Sequence, residues 1–352
     1  MRCYLSHLNL DTIVHLAGAM ARIFVTGVNG HVGNNIVRDM LENGYEVKGS
    51  VRDISDLTKT SHVLKHAEDL GCQNRLELVE GDVLDKQWAE KLKGCDSLFH
   101  TATVYSMDGS AQTILDTANR GTMNLLYAAA EVGIKRVIYT SSVAAVGSTP
   151  KGVLKDDSFW NENFSVPYVQ AKTESEHQAW KLAKKLDLDL RVINPSAVLG
   201  GNFERSTPST SIIGDALAGK FPLAPKFPLA FVHVKDVAIA HRRAYEVDEA
   251  NGRYLLTPHQ NTNIHELLKR TKELYPKSKA PKRSMPMWML PLAVFQDWFA
   301  GLFTGKRLLT RAAAKGFKKG DSLYSCEKAE KELGIEWTSF DQCIIDTVEG
   351  FE

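Results

Sequence analysis

The sequence lacks the features that usually tie a chain to disulfides, metals or nucleic acids. Its five cysteines, Cys3, Cys72, Cys95, Cys326 and Cys343, are odd in number and form no CxxC or Cys/His cluster. This pattern argues against a disulfide framework and a structural metal, and it predicts reduced thiols in a cytoplasmic protein. An excess of charge of one sign is also lacking, because 43 basic residues nearly balance 42 acidic residues. The balance indicates no nucleic-acid partner and favours a small ligand.

A long hydrophobic run is absent as well. The most apolar stretch lies within residues 284–307, where the run is shorter than the about 20 residues of a spanning helix and Asp297 interrupts it. We expect this segment to pack on a C-terminal lobe or to cover a pocket. Trp288 and Trp298, followed by basic residues, also fit contact with a membrane surface, and a subunit contact in a homodimer is the third alternative.

The first 19 residues differ from the rest of the chain. They combine one arginine, a broken apolar stretch and a small-residue ending, which loosely resembles a secretion signal. Asp11 and His15 interrupt the apolar stretch, and a strong strand pattern begins at Ala21. We therefore interpret residues 1–19 as an extension outside the core, which starts at Met20, with a signal peptide as the less favoured alternative.

Apolar runs typical of strands alternate with helical patterns along the first two hundred residues. The strand-like runs span 21–27, 45–52, 76–83, 97–103, 136–142 and 190–196, and the helical patterns span 31–44, 88–94, 117–133 and 169–186. This alternation is typical of βαβ units, so we predict an α/β fold with a Rossmann, doubly wound parallel sheet. The sheet domain is placed at 20–200, with 228–250 returning to it. A smaller C-terminal substrate-binding lobe is placed mostly in 201–352, where Pro-rich segments begin.

A glycine pattern, GxxGxxG, follows the first strand-like run. Glycines are needed where a strand turns tightly into a helix, where backbone approaches a pyrophosphate, and where the helix packs on the strand. The pattern closes a strand and opens a helix that ends near Gly44, which favours a dinucleotide site over a plain glycine-rich turn. The residues assigned to NAD(P) binding in this loop are Gly27, Asn29, Gly30, His31, Val32 and Gly33.

The end of the second strand-like run predicts the type of dinucleotide. An acidic residue at this place would bind a ribose 2'-hydroxyl, whereas an arginine suits a 2'-phosphate. Arg52 occupies the position, and Lys59 follows one or two helical turns later. We therefore favour NADP(H). The next residue, Asp53, keeps NAD(H) as an alternative, and the competing interpretation of Arg52 is a solvated strand end.

The stretch YVQAK at 168–172 places a tyrosine and a lysine four residues apart at the start of a helical pattern. On a helix this spacing puts Tyr168 and Lys172 on one face, where the ammonium lowers the pKa of the phenol from about 10. Such a tyrosine can donate a proton at neutral pH, although pairs with this spacing also occur by chance. The pair predicts acid–base catalysis if the fold brings Ser142 beside it.

Seven motifs follow the order found in extended short-chain dehydrogenases/reductases. They are GxxGxxG at 27–33, GDV at 81–83, HTAT at 100–103, TSS at 140–142, YxxxK at 168–172, INP at 193–195 and FVHVKDVA at 231–238. The chain most resembles the dihydroflavonol-reductase-like branch, which includes aldehyde, cinnamoyl-CoA and 3β-hydroxysteroid enzymes. The resemblance covers roughly residues 20–350. Its motifs are specific for the superfamily and much less specific for the substrate.

The resemblance implies a role for each matching position. Tyr168 would be the general acid or base, Lys172 would lower its pKa and bind the nicotinamide ribose, and Ser142 would hydrogen-bond the substrate carbonyl. Further cofactor contacts are implied for Asp82 and Val83 at the adenine, for Thr101, Ala102 and Thr103 beside the fourth strand, and for Pro195 and Val198 at the nicotinamide. Two positions depart from the family pattern: Ala118 stands where an asparagine is common, and Gly201 stands where a proline is common.

These features together predict an NADP-dependent oxidoreductase, without a metal, that reduces a small-molecule ketone or aldehyde to an alcohol. The expected substrate is aromatic, flavonoid-like or steroid-like, because the C-terminal region is rich in apolar and aromatic residues. An NAD-dependent nucleotide-sugar epimerase or dehydratase is the alternative within the superfamily. A non-catalytic dinucleotide sensor is disfavoured, since the tyrosine and the lysine are both present.

Overall fold

A seven-stranded parallel sheet forms the centre of the protein. The computed structural model describes residues 20–102, 111–150, 152–203, 205–260, 262–292, 294–295 and 320–351. In chain order its strands are β1 (Arg22–Thr26), β2 (Glu46–Val51), β3 (Leu76–Glu80), β4 (Ser97–His100), β5 (Arg136–Thr140), β6 (Thr149–Pro150), β7 (Asp189–Pro195), β8 (Ala197–Leu199), β9 (Phe231–His233), β10 (Gly252–Leu256) and β11 (Gly320–Asp321). Its helices are α1 (His31–Glu42), α2 (Leu57–Asp69), α3 (Trp88–Leu92), α4 (Ala111–Glu131), α5 (Pro167–Leu186), α6 (Ser211–Leu217), α7 (Val234–Glu246), α8 (Ile264–Leu274), α9 (Glu327–Leu333) and α10 (Phe340–Glu349).

The order of strands in the main sheet is β10-β7-β5-β4-β1-β2-β3. All neighbours in this sheet pair in parallel. The chain runs outward from β1 through β2 to β3 and then crosses back to β4, so the direction of winding reverses between β1 and β4. Ligands of such sheets bind at the carboxyl ends of the strands beside this reversal. The predicted Rossmann, doubly wound fold is therefore confirmed.

Two hydrophobic cores cover the two faces of the sheet. In β1, Ile23 and Val25 pack on one face with helices α1 and α7, while Phe24 packs on the other face with Trp88. The rings of Phe24 and Trp88 meet edge to face, with their centroids 6.0 Å apart. Because helices cover both faces, the strands are apolar on both sides, which explains the continuous apolar runs in the sequence.

The C-terminal part of the chain contributes both to the sheet and to a smaller lobe. Helix α7 packs against α1, and β10 pairs with β7 from Gly252 to Leu256, so the return to the sheet continues past residue 250. The lobe contains the parallel pair β8 and β9. It also has separate apolar clusters that join helices α6, α8 and α10. The division of the chain at residue 200 stays a prediction.

Two of the predicted segments lie wholly or largely outside the described residues. These are the extension at 1–19 and the later part of the apolar stretch at 284–307, from residue 296 onward. In the parts of the chain that the structure does describe, the helices are too short or too polar to span a bilayer. In the described part of the apolar stretch, Trp288, Leu292 and Phe295 are exposed.

Candidate functional site

The glycine loop after β1 leaves little room for a side chain at two of its glycines, Gly27 and Gly33. Gly27 has a left-handed backbone with φ of +66°, and a Cβ there would lie 3.1 Å from the Cα of Ala102. A Cβ on Gly33 would lie 2.4 Å from the carbonyl oxygen of Gly27. Helix α1 therefore starts in direct contact with the loop, and its first N–H groups face the carboxyl edge of the sheet. This arrangement fits the pyrophosphate of a dinucleotide.

The carboxyl ends of β1 and β4 are joined through one hydroxyl. The Oγ1 atom of Thr26 accepts hydrogen bonds from the N–H groups of Thr101 at 3.0 Å and Ala102 at 2.9 Å. It also lies 2.9 Å from Nδ1 of His100. Burial lowers the pKa of His100 to about 3, with a smaller contribution from the Lys172 charge, so this histidine is neutral. Thr103, the third predicted contact, lies outside the described residues.

The predicted adenine contacts follow β3. The carboxylate of Asp82 accepts a hydrogen bond from the N–H of Leu84 at 2.9 Å. The side chain of Val83 packs on Gly121 of α4, where a Cβ would lie 2.9 Å from it. A small cavity opens beside this contact, and its lining includes Val83, His100, Ala102 and Ala118. Ala118 thus faces the carboxyl edge of the sheet, at the position where an asparagine is common.

The charged residues predicted to hold a 2'-phosphate lie at the end of β2. Arg52 is exposed directly after that strand, whereas Lys59 is in an ion pair with Asp56. The structure adds Arg205, which donates a hydrogen bond to the carbonyl of Asn29 in the glycine loop. Partial burial lowers the pKa of Arg205, and the positive charge of Arg52 lowers it further. The carboxylate of Asp56 acts in the opposite direction and raises the pKa. Two arginines thus lie near each other at this edge.

A segment from the start of the C-terminal lobe covers the beginning of α1. The carbonyl of Gly200 lies 3.2 Å from Nε2 of His31, and Phe203 stacks on the same ring with a centroid distance of 5.3 Å. Burial lowers the pKa of His31 to about 4, so its ring is neutral at pH 7. The adjacent Gly201 has no space for a side chain, since a Cβ would lie 2.7 Å from the carbonyl oxygen of Asp346. This contact accounts for a glycine at that position.

The three predicted catalytic residues come from β5 and α5. Ser142 follows the end of β5 and is half-buried, and its Oγ accepts a hydrogen bond from the N–H of Ala144 at 3.1 Å. Tyr168 is half-buried in the first turn of α5, which packs against the turn that Ser142 begins. Lys172 lies one helical turn later, and its Nζ donates to the carbonyl of Thr140 at 3.2 Å. The helix start and the strand end therefore meet, as the catalytic interpretation requires.

The ammonium of Lys172 is buried, with 4% of the residue exposed. Burial lowers its pKa to about 8, and the carboxylate of Glu176 opposes the decrease. Lys172 therefore remains mostly charged at pH 7. A charged lysine next to a tyrosine favours the phenolate, which is the electrostatic condition for proton transfer at neutral pH.

The two residues predicted at the nicotinamide lie beyond β5. Pro195 is buried at the end of β7, and Val198 is half-buried in β8, where it pairs with Val232. Pro195 is the last residue of β7, which pairs with β5, and Val198 follows it, at the edge of the sheet that holds Ser142. This location agrees with a cofactor that extends from β2 across the edge toward β7.

Three polar residues beside the site were not among the predicted site residues, although Asn194 lies within the INP motif. Glu176 is fully buried, and Arg253 of β10 donates to its carboxylate at 2.6 Å. Asn194 donates both to Glu176 at 2.9 Å and to the carbonyl of Ser142 at 3.1 Å. Glu176 lies one helical turn after Lys172 on α5. This spacing is a local signal in the sequence that Glu176 lies near the site. Nothing local in the sequence points to Arg253, which is distant along the chain.

Comparison with known proteins gives one family and several full-length relatives. The model of the NAD dependent epimerase/dehydratase family matches residues 23–256. "Cinnamoyl-CoA reductase 2" of Medicago truncatula is 31% identical over 354 residues, which cover 97% of this chain and 94% of that protein.

Solved structures with the same fold also match over nearly the full chain. The crystal structure of gox2253 has a TM-score of 0.78 at 29% identity, covering 94% of this chain and 97% of that one. Yeast methylglyoxal/isovaleraldehyde reductase Gre2, solved with NADPH, has a TM-score of 0.72 at 21% identity. The match covers 94% of this chain and 98% of that one.

Proposed function

The chain belongs to the NAD dependent epimerase/dehydratase family, and we propose that it is an NADP-dependent oxidoreductase that reduces a small-molecule carbonyl to an alcohol. The observation that carries the proposal is the meeting of Tyr168 and Lys172 on α5 with the end of β5. The buried ammonium of Lys172 bonds to Thr140, two residues before Ser142. The proposal assigns the hydroxyls of Ser142 and Tyr168 to the same edge of the sheet as the glycine loop.

The residues of this edge provide what carbonyl reduction needs from a protein. When bound, the nicotinamide supplies the hydride. Negative charge then develops on the carbonyl oxygen, and the hydroxyls of Ser142 and Tyr168 stabilise this charge by donating hydrogen bonds. Tyr168 transfers its proton to the oxygen, and the charge of Lys172 assists the transfer. In the reverse direction Tyr168 accepts the proton from an alcohol.

The glycine loop, the ends of β3 and β4, and the end of β2 would hold the dinucleotide. The pyrophosphate would lie against Gly27, Gly30 and Gly33, and a Cβ at each of these positions would lie within 3.3 Å of a neighbouring atom. Asp82 and Val83 would contact the adenine. Arg52 would bind the 2'-phosphate, and this contact favours NADP(H) over NAD(H) because a guanidinium matches a phosphate in charge and shape.

The substrate would be a ketone or aldehyde with an aromatic, flavonoid-like or steroid-like body. A relative that spans nearly the whole chain is named as a cinnamoyl-CoA reductase. The apolar and aromatic composition of the C-terminal region favours such a body, because ligand pockets are mostly apolar. A cytoplasmic location and a homodimer are further proposals, and contact of 284–307 with a membrane surface is the less favoured alternative for that segment.

The test is a fluorescence titration of the purified protein with NADPH and with NADH, followed by turnover with a panel of carbonyl compounds. We expect tighter binding of NADPH and its oxidation by an aromatic ketone or aldehyde. Tight NAD(H) binding that persists through purification, with conversion of UDP-sugars alone, would instead establish the epimerase alternative. Binding of neither dinucleotide would refute both.

A further inference from the structure

A short segment at the start of the C-terminal lobe, residues 200–203, is held between two helices. The N–H of Gly200 donates to Oγ1 of Thr347 in α10 at 2.7 Å. On the other side, the amide of Asn34 in α1 donates to the carbonyl of Asn202. Asn202 has a left-handed backbone with φ of +58°, a conformation that asparagine adopts more readily than most residues. The segment therefore turns at a fixed place beside the start of α1.

Phe203 extends this segment toward the helix that follows β2. Its ring stacks on His31 at the start of α1, with centroids 5.3 Å apart, and meets the ring of His62 in α2 edge to face at 5.5 Å. His62 follows Lys59 by three residues on α2, so the two side chains lie on the same side of that helix. Phe203 thus lies between the helix that the glycine loop opens and the helix that carries Lys59.

Arg205 reaches the glycine loop itself. Its guanidinium donates to the carbonyl of Asn29, and its Cζ lies 5.0 Å from the ring centroid of Phe203. The ring supports the guanidinium from one side, as arginines commonly stack on aromatic faces. A guanidinium has five N–H donors in a planar fork, so the bond to Asn29 leaves donors that can bind an anion.

The glycine loop lies against the end of β2, which brings Arg205 to the same place as Arg52. The N–H groups of residues 27 and 28 donate to the carbonyl of Ser50, at 3.1 Å and 3.2 Å, and Arg52 follows Ser50 by two residues. Burial lowers the pKa of Arg205, and the charges of Asp56 and Arg52 act on it in opposite directions, in agreement with this location. Two cations from different parts of the fold therefore lie beside one loop, where an anion relieves their repulsion.

We propose that Arg205 is a second residue for the 2'-phosphate of NADP(H), so that the C-terminal lobe takes part in the choice between NADP(H) and NAD(H). This role rests on the proposed function, because it needs a dinucleotide in the glycine loop. The ribose 2' position of such a cofactor lies at the end of the second strand, beside the loop. Arg52 approaches this position from the sheet and Arg205 from the lobe. A phosphate group has three acceptor oxygens, which suffice for both guanidinium groups.

The test compares NADPH with NADH, because the two ligands differ only in the 2'-phosphate. Arg205→Met removes the charge and keeps an apolar side chain that can remain on Phe203. We expect the Kd for NADPH, measured by fluorescence titration, to rise about ten-fold or more, because a hydrogen bond to a charged group is lost. The Kd for NADH should stay within about two-fold of the wild type. The double variant R52M/R205M should bind the two ligands with Kd values within about three-fold of each other.

Arg75→Met is the matched control for the loss of a positive charge. Arg75 precedes β3 at the amino edge of the sheet, and its guanidinium donates to the carbonyl of Tyr45 at 3.5 Å. The five residues of β3 separate it from the carboxyl edge by about 17 Å. This is about twice the Debye length of about 8 Å at physiological salt, so both Kd values should stay within about two-fold of the wild type. A loss of NADPH affinity in R75M as large as that in R205M would show general charge attraction and would overturn the proposal.

The other outcomes separate the role of Arg205 from the proposed function. Equal weakening of NADPH and NADH in R205M would assign Arg205 to the pyrophosphate or to the loop structure, and an unchanged Kd for NADPH would leave it no role in binding; either result overturns the proposal. Thermal unfolding verifies that each variant is folded. If the wild type binds NADPH but reduces no carbonyl compound, the proposed function fails, and the titrations still decide the role of Arg205. If the wild type binds neither dinucleotide, both fail.

Discussion

Replacing Gly33 by alanine tests whether the geometry of the glycine loop decides dinucleotide binding. The new Cβ would lie 2.4 Å from the carbonyl oxygen of Gly27, whereas ordinary contacts begin at 3.4 Å. The loop or helix α1 must therefore move by about 1 Å. Gly27 cannot follow freely, because its N–H bonds to the Ser50 carbonyl at 3.1 Å and its φ is already +66°.

Such overpacking costs about 1–3 kcal/mol. If most of the displacement falls on the pyrophosphate contacts, the Kd for NADPH should rise about 10- to 100-fold, at about 1.4 kcal/mol for each factor of ten. Fluorescence titration with NADPH measures the change, and thermal unfolding monitored by circular dichroism verifies that the variant is folded.

A matched control is Gly214→Ala in helix α6, which also replaces a helical glycine. Its Cβ would lie 3.3 Å from the ring of Phe351, a side chain near the end of the chain that can move. NADPH affinity should stay within about two-fold of the wild type, since α6 lies in the C-terminal lobe. If Gly33→Ala binds NADPH as tightly as this control, the loop is not the pyrophosphate site.

Three further substitutions test other parts of the site. Tyr168→Phe should lower kcat by about 100- to 10,000-fold while NADPH affinity stays near normal, because it removes only the proton donor; retained turnover would refute the mechanism. Arg52→Asp should weaken NADPH at least about ten-fold more than NADH, and equal effects in the two titrations would show that Arg52 is only a solvated strand end. Gly201→Ala should lower the unfolding midpoint, since its Cβ would lie 2.7 Å from the Asp346 carbonyl; an unchanged midpoint would contradict the close packing of α10 against this segment.

Local sequence patterns were sufficient to predict much of the first half of the fold. The run at 21–27 became β1 at Arg22–Thr26, and the pattern at 169–186 became α5 at Pro167–Leu186. The boundaries shifted by a few residues, because helix and strand ends depend on hydrogen bonds to neighbouring segments. Helix α2 at Leu57–Asp69 was not predicted, although its buried residues Thr60, Val63 and Ala67 recur at helical spacing. The resemblance to extended short-chain dehydrogenases/reductases is confirmed by the family match and by the relatives that span the chain.

The sequence by itself determined the βαβ alternation, the glycine loop and the spacing of Tyr168 from Lys172. Each of these depends on residues close together in the chain, where periodicity and turn chemistry act directly. The tertiary structure alone decided that Arg253 pairs with Glu176 and that Arg205 reaches the carbonyl of Asn29. These contacts join residues 77 and 176 positions apart. No local pattern encodes such pairs, because they form only when the packed sheet and lobe bring distant segments together.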